Sequence, residues 1–393
     1  MKKKADVCIV GGGVIGCSIA WNLAKRGKKV ILVEKTDHAS GASGACDQFI
    51  ILQSKNPGVH LELALAGAKM YETLEEELGA DIAYHKDGGM ILIETAEEMK
   101  IMEEFVAKQR KIGLEVEILD QKAAAKRQRG LAPHLVGSTY SAQDAHVDPI
   151  RLNFALARAA VLLGAEILLE TEVNRIIKDG PAVVGVRTNK GDEIYAPLVI
   201  NAAGAWAPLV GELAGLKIPI EPRRGQIVIT EPVPPFITGD ILSAQYIVAK
   251  YNADLIQKSD SLPVRLGVGL ALSQTEKGNI MIGATREFVG YDRSNTPEGL
   301  QEVLKNACRL VPGLKEINFI RFISGLRPYT KDGLPLVGHV QDVPGFFMAA
   351  GHEGDGIALS PVTGRIVADL ICEGKTFMDI SALDPHRFSP AKE

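Results

Sequence analysis

Residues 6–35, DVCIVGGGVIGCSIAWNLAKRGKKVILVEK, carry a strand, a glycine turn, a helix, a second strand and an acid in unbroken order. No other stretch constrains the fold as much. Val7 to Val10 are a short apolar run suited to a strand buried on both faces, and Gly11, Gly13 and Gly16 follow in GxGxxG spacing. The first glycine permits a tight turn, the second lets the backbone approach a pyrophosphate, and the third lets the following helix pack on the strand. The pattern predicts a helix from Val14 and Ile15 to Arg26, stopped at Gly27, with its free N–H groups and positive dipole end turned toward phosphates. Val30 to Val33 give the second strand. Glu34 at its end is placed to accept both hydroxyls of an adenosine ribose, and it repels a 2′-phosphate. The unit therefore reads as a site for an adenine dinucleotide, with NADP disfavoured.

Composition narrows the class. At 393 residues, 46% hydrophobic and 23% charged, the chain has the make-up of a globular protein of two or three domains with a large core. Its 40 glycines exceed the average share of about 7%, as expected of a chain with many tight turns and close approaches to a cofactor. A net charge of −4 offers no electrostatic footprint for nucleic acid. Lys2 to Lys4 read as a solvated lead-in to the first strand. No apolar run reaches the roughly 18 residues of a membrane span, and no signal-peptide core precedes the first strand, so the expectation is a cytoplasmic protein. Cys8, Cys17, Cys46, Cys308 and Cys372 are odd in number and never in CxxC spacing, which argues against a disulfide framework or a metal site built by this chain alone. Cys8 and Cys17 read as core residues, whereas Cys46 follows a run of small residues and is a candidate to lie beside a ligand.

Further along, Ser40 to Ala45 (SGASGA) is a loop of small residues and Val59 to Gly79 a helix. Met90 to Glu94 and Glu115 to Leu119 read as strands flanking a charged helix, Ala96 to Ile112, in a βαβ-like block separate from the first sheet. Asp148-Pro149 opens a helix to Leu163 as N-cap and first-turn proline. Glu166 to Leu169, Val173 to Ile177, Ala182 to Thr188 and Glu193 to Ala196 follow as strands with turns at Asp179-Gly180 and Lys190-Gly191, then a buried strand from Leu198 to Ala202. Ile218 to Ile320 has the patterning of an antiparallel sheet, with strands expected at Gln226 to Thr230, Val264 to Leu270 and Asn279 to Ala284. From Phe322 glycine motifs return, and a helix from Ser360 to Cys372 closes the chain.

GGGVIG with Glu34, SGASGA, DAHVDP (144–149), NAAGAWA (201–207), RRGQIVITEP (223–232), SQTEKGNIMIGATRE (273–287), GLRPYTKDGLPLVG (325–338) and AGHEGDGIALSPVTG (350–364) together resemble the FAD-dependent D-amino acid oxidase family. The likeness is greatest to its glycine oxidase and sarcosine oxidase β-subunit branch, which includes flavin subunits of opine, proline and hydroxyproline dehydrogenases. The resemblance implies an α/β fold in which a Rossmann-like FAD-binding domain (1–85, 146–215 and 322–393) is interleaved with an α+β, antiparallel-sheet substrate-binding domain (86–145 and 216–321). It implies FAD pyrophosphate at Gly11, Gly13 and Gly16 with Val14 and Ile15, ribose at Glu34 with Lys35 beside it, and pyrophosphate or flavin near Ser40, Gly41, Ala42 and Ser43. Val173 would meet adenine through its backbone, and Ala203, Gly204 and Trp206 would line the cofactor, although Trp206 also suits a domain-seam aromatic. Gly351, His352, Glu353, Gly354, Asp355, Gly356 and Ile357 would offer backbone N–H groups to the flavin, where reduced flavin carries negative charge.

The same resemblance assigns Arg327, in GLRP, to the substrate carboxylate, a task that suits a planar guanidinium; the alternative is an arginine bracing the domain seam. Glycine oxidase has a second carboxylate-facing arginine where this chain has Gly354, so a single-arginine clamp or a different substrate orientation is expected. His352 and Glu353 then either line the flavin or only bond their own loop. The implied reaction is hydride transfer from the amine-bearing carbon of a small amino or imino acid to flavin N5, giving an imine that water hydrolyses. No dedicated base is required. Neither His146 nor His352 is assigned a catalytic role, and Tyr246, Tyr251 and Tyr329 are pocket candidates only. The HEGDGI form is closer to flavin subunits that pass electrons to iron-sulfur or second-flavin partners, so the leading expectation is a dehydrogenase subunit of a hetero-oligomer. The alternatives are a self-sufficient oxidase producing peroxide, and a flavin-bearing assembly subunit without turnover. An NAD-dependent dehydrogenase would share residues 6–35 but leave the motifs beyond residue 325 unexplained.

Overall fold

The computed structural model describes residues 1–251 and 260–388. The opening unit folds as its sequence dictates. Val7–Val10, the helix Val14–Lys25 and Val30–Val33 follow in order, and both strands are buried along their whole length. They sit in a six-stranded sheet ordered Leu336–His339, Phe346–Ala350, Leu198–Asn201, Val7–Val10, Val30–Val33 and Glu166–Leu168. All neighbours are parallel except the first pair. Alternate side chains explain the continuous apolar runs. Val7, Ile9, Val30 and Leu32 face a layer that holds the helices Val14–Lys25, Pro149–Leu162 and Gly356–Glu373. Cys8, Val10, Ile31 and Val33 face the opposite way, into a core shared with a four-stranded sheet of Lys2–Lys4, Glu193–Tyr195, Ala182–Thr188 and Val173–Asp179. Burial on both faces is what a parallel sheet between two layers requires. Lys2–Lys4 is largely exposed, as expected, and is a strand in its own right, paired with Glu193–Tyr195.

A second, eight-stranded sheet runs Phe319–Tyr329, Glu221–Pro232, Asn279–Gly283, Ala271–Gln274, Asp240–Ser243, Gly89–Ile93, Gly137–Ser141 and Glu117–Asp120. Its pairings are antiparallel except that between Asp240–Ser243 and Gly89–Ile93. One face, with Leu92, Val228, Ile241, Leu272 and Ile282, packs on the helix Pro297–Leu310 through Val303, Ala307 and Leu310. On the other face, Gly225 and Ile227 line the cavity described below.

Four sequence expectations are revised. Gly89–Ile93, the helix Ala96–Arg110 and Glu117–Asp120 do form a block apart from the first sheet, but Gly137–Ser141, which carried no strong signal, inserts between its two strands and runs antiparallel to both. Val264 to Leu270 is not a strand. Pro263 lies in the first turn of a short helix, Leu262–Arg265, Gly267 turns the chain at φ +60°, and the strand itself begins only at Ala271. Period two misled there because Leu266, Val268 and Leu270 reach the core from irregular backbone. The last helix begins at Gly356, before Ser360, and Pro361 lies inside it. That proline leaves the Ile357 carbonyl without its helical donor, and Tyr71 Oη (2.7 Å) and Ser360 Oγ (3.1 Å) donate to it instead. Finally, Phe319–Tyr329 belongs to the large sheet throughout, so the boundary expected at residue 322 falls within a strand. We infer a two-domain division with that boundary moved past Tyr329. Among the described residues, no helix is long and apolar enough to cross a membrane.

Candidate active site

The glycine turn shows why each glycine is there. Gly11 has φ +116°, and a Cβ at Gly16 would run into the Gly11 carbonyl oxygen, so the helix can approach the turn only without a side chain. Gly13 is the N-cap and brings no side chain to the helix start. The Val14 N–H donates to Ser43 Oγ at 3.1 Å, which ties the small-residue loop across the turn. Glu34 is fixed from both sides: its Oε2 accepts from Gly12 N (2.7 Å) and its Oε1 from Thr36 N (2.9 Å). Lys35 pairs with Glu172 at 2.8 Å.

These residues open onto a continuous cavity of about 710 Å³, within the range of roughly 300–1,000 Å³ usual for ligand sites. It is lined at one end by Glu34, Lys35 and Val173, passes Gly11, Gly13, Val14, Ile15, Ser40, Gly41, Ala42, Ser43, Ala203, Gly204 and Trp206, and reaches Arg327, His352, Glu353, Gly354, Gly356 and Ile357. Trp206 lines the cavity and also stacks on Tyr291, with ring centroids 6.2 Å apart. Three expected residues lie off the cavity wall. Gly16 packs the helix. Gly351, at φ +92°, faces Thr330, where a Cβ would stand 2.8 Å from Cγ2. Asp355 turns away into a buried cluster with Lys55 (2.7 Å) and His60 (3.1 Å) that anchors the loop beneath the cavity.

The loop's N–H groups are more committed than expected. Glu353 N donates to the Pro328 carbonyl (3.0 Å), Gly354 N to the Glu353 carboxylate, and Asp355 N to the His352 carbonyl (2.9 Å). The first-turn N–H groups of Gly356 and Ile357 have no intrahelical partner. His352 Nε2 lies 3.1 Å from Thr363 Oγ1, and burial pushes the imidazole down to about 3, so the ring is neutral at ordinary pH. Glu353 faces Arg223 (3.5 Å), a fully buried arginine stacked against Phe288 and Tyr329. Both His352 and Glu353 therefore line the cavity while holding their own loop in place.

Arg327 comes from the edge strand of the large sheet. Its Nη1 donates to the Thr285 carbonyl at 3.0 Å, and the side chain lines the cavity. Space for it comes from Gly225 on the neighbouring strand, where a Cβ would overlap Nη1 and stand 2.6 Å from Cζ. Gly354 lies against the Arg327 stem, its ideal Cβ 3.6 Å from Cδ and Nε.

Sequence reasoning missed several residues here. Gly225 and Arg223 sit in RRGQ, and Arg286 in GATRE, motifs that were visible but carried no role. Arg286 is fully buried, its Nε, Nη1 and Nη2 have no hydrogen-bond partner among the described residues, and its guanidinium lies 3.8 Å from the ring centroid of Tyr246, which lines the cavity. Asp47, just past the small-residue loop, lines the cavity too, and burial raises its carboxyl above the usual range. Cys46 is also on the wall, with its thiol pushed up by burial, whereas Cys8 and Cys17 are core residues. Of the tyrosine candidates, Tyr246 lines the cavity, Tyr329 stacks edge-on with Phe288 away from it, and the Tyr251 side chain lies outside the described residues. Among the described residues, no group of three or more His, Cys, Asp or Glu could hold a metal ion.

The profile of the FAD dependent oxidoreductase family, DAO, matches residues 6–370. The chain belongs to that family. Its cofactor is FAD, and the observed turn fits one: glycines where a side chain would keep the helix from the turn, a helix start without a side-chain cap, and an acid at the end of the second strand held by backbone donors. The chain is similar to glycine oxidase of Geobacillus kaustophilus (strain HTA426), with 34% identity over 97% of this chain and 96% of that protein. It is also similar to hydrogen cyanide synthase subunit HcnC of Pseudomonas aeruginosa PAO1, with 30% identity over 99% and 98% of the two chains. Among solved structures it superposes on L-proline dehydrogenase from P. horikoshii with a TM-score of 0.89 and 30% identity, covering 99% of this chain and 98% of that one. This oxidoreductase thus shares its whole architecture with enzymes named for amino acid oxidation.

Proposed function

We propose that this protein oxidises a small amino or imino acid at the carbon that bears nitrogen, as the flavin subunit of a multi-subunit dehydrogenase. The observation that carries the reading is Arg327, a guanidinium turned into the same cavity as the glycine turn and given room there by Gly225. Bound FAD supplies the hydride acceptor at N5. The chain's own residues do the positioning. Gly11, Gly13 and Glu34 would hold the adenosine and pyrophosphate half, and the N–H groups of Gly356 and Ile357 would serve the flavin edge, where negative charge builds on reduction. Arg327 takes the substrate carboxylate bidentately, and neutral His352 adds a polar wall without adding charge. The product imine leaves for hydrolysis to an oxo acid and ammonia or an amine.

An anaerobic screen of glycine, sarcosine, proline, hydroxyproline and opines, in both enantiomers where they exist, tests this. Bleaching of the bound flavin by at least one of them supports the reading, and a flavin that none of them reduces sinks it. The subunit role draws on the likeness to HcnC, itself named as a subunit, and on the absence of cluster-spaced cysteines in this chain, which puts any iron-sulfur cluster on a partner. The likeness to glycine oxidase favours a second reading, a self-sufficient oxidase. Turnover with a dye acceptor in the absence of air, set against peroxide yield in air, separates the two: abundant peroxide with good turnover would replace the dehydrogenase reading by the oxidase one.

A further inference from the structure

Asp47 is a carboxylate for which the reading above has no task. Of the other acids on the cavity wall, Glu34 is held by Gly12 and Thr36, Glu172 by Lys35, and Glu353 faces Arg223. Asp47 makes no hydrogen bond and no ion pair among the described residues. Several charges face it without touching it. They are Arg327 from the edge strand, Arg286 from the segment after Asn279–Gly283, Lys55 from the turn before the helix Val59–Leu78, and Asp355 at the start of the last helix. The Cys46 thiol is its chain neighbour, and Asp240 stands within electrostatic reach. The cavity therefore presents one unpaired carboxylate beside a guanidinium fork, which is the charge complement of a zwitterion.

We propose that Asp47 receives the substrate ammonium group and takes its proton, while Arg327 holds the carboxylate. The assignment rests on the amino acid reading above and deepens it. An N–H bond of the ammonium breaks, an O–H bond forms on Asp47, and the electron pair stays on nitrogen. When the electron pair of the Cα–H bond leaves as hydride to the bound FAD, the nitrogen lone pair closes the C=N bond. Burial works in favour of the transfer, because it raises the proton affinity of Asp47, while the positive charges of Arg327, Arg286 and Lys55 act against that rise. Substrates with the nitrogen and the carboxylate on one carbon span the two groups, whereas simple amines and simple acids engage only one.

The test compares the holoenzyme with Asp47→Asn and Arg286→Met on matched ligand pairs, sarcosine against methoxyacetate and proline against tetrahydrofuran-2-carboxylate, in which oxygen replaces the amine. Affinity for the oxygen isosteres is read from perturbation of the visible FAD spectrum, and affinity for the amines from half-saturation of anaerobic bleaching. Asp47→Asn is expected to bind the isosteres as wild type does, to need roughly tenfold or more amine, and to have the acidic limb of its kcat/KM profile moved up to the pKa of the free substrate amine. Arg286→Met removes a charge that lowers the Asp47 pKa, so that limb moves to higher pH. Equal weakening of both ligand types by Asp47→Asn, or amine binding and a pH profile like those of the wild type, overturns the assignment alone. Wild-type flavin that no amine bleaches overturns the assignment together with the reading beneath it.

Discussion

Gly225 and Arg327 share one space across paired strands: a Cβ on residue 225 would stand 2.6 Å from the guanidinium carbon. The obstructing atoms are the far end of a long side chain, so a substitution there moves the arginine and spares the sheet. Gly225→Ala is expected to fold, to retain FAD, and to raise KM at least tenfold. Flavin content with the KM of any bleaching substrate checks it; an unchanged KM would place the carboxylate elsewhere.

Replacement of Arg327 itself separates charge from geometry. A bidentate fork on a carboxylate is a strong, charge-assisted contact, and Lys keeps the charge without the fork. Arg327→Ala is expected to lose about 1.5–3 kcal/mol of ligand binding and Arg327→Lys a fraction of that, with FAD bound in both. Titration of the holoenzyme with methoxyacetate or acetate gives the numbers.

Asp355 acts on the site from behind. It pairs with Lys55 and His60 where all three side chains are no more than 4% exposed. Asp355→Asn strands buried positive charge, and breaking such a pair costs about 3–5 kcal/mol. Urea unfolding of the holoenzyme is expected to show that loss, along with weaker FAD retention as the loop His352 to Ile357 loosens. Stability equal to that of the wild type would mean that Lys55 is neutral in the folded protein.

The pH dependence of stability has an identifiable contributor in Asp240. Among the described residues neither of its buried oxygens has a hydrogen bond, His146 Nδ1 standing 3.8 Å from Oδ1, and burial, with Asp144, Asp47 and Asp87 nearby, raises its carboxyl well above the usual range. The folded protein therefore keeps a proton that the unfolded chain releases as pH passes about 4. Stability falls as pH climbs from there to the folded pKa, by about 1.4 kcal/mol per unit, and the loss is absent below the unfolded pKa. Asp240→Asn is expected to exceed the wild type in Tm at pH 7 and to match it near pH 3. A Tm difference that does not change with pH would assign the variant's effect to packing.

Much of the nucleotide-binding half was legible because its physics is local. Gly11, Gly16 and Glu34 act on neighbours within one short unit, and the apolar runs around them reflect burial on two faces. The substrate end was less legible because it is assembled from distant segments. Nothing near Gly225 in the sequence announces Arg327, which reaches it through strand pairing. Asp47 sits in a loop whose small residues drew attention away from it. Arg286 looked like an ordinary charged residue in a hairpin, and only its complete burial shows otherwise. The strand at Gly137–Ser141 escaped for a related reason: GSTYS is nearly polar throughout, and it is buried by its neighbours on the sheet rather than by its own composition.

The parallel sheet under the cofactor joins Val7–Val10 to Leu198–Asn201, and the latter to Phe346–Ala350. These three strands come from the beginning, middle and end of the chain. The glycine turn therefore shares its cavity with residues far from it in sequence, Arg327 and His352 among them. A chain without Phe346–Ala350 and Gly356–Glu373 would keep its nucleotide motif but lose the side of the cavity that runs from His352 to Ile357.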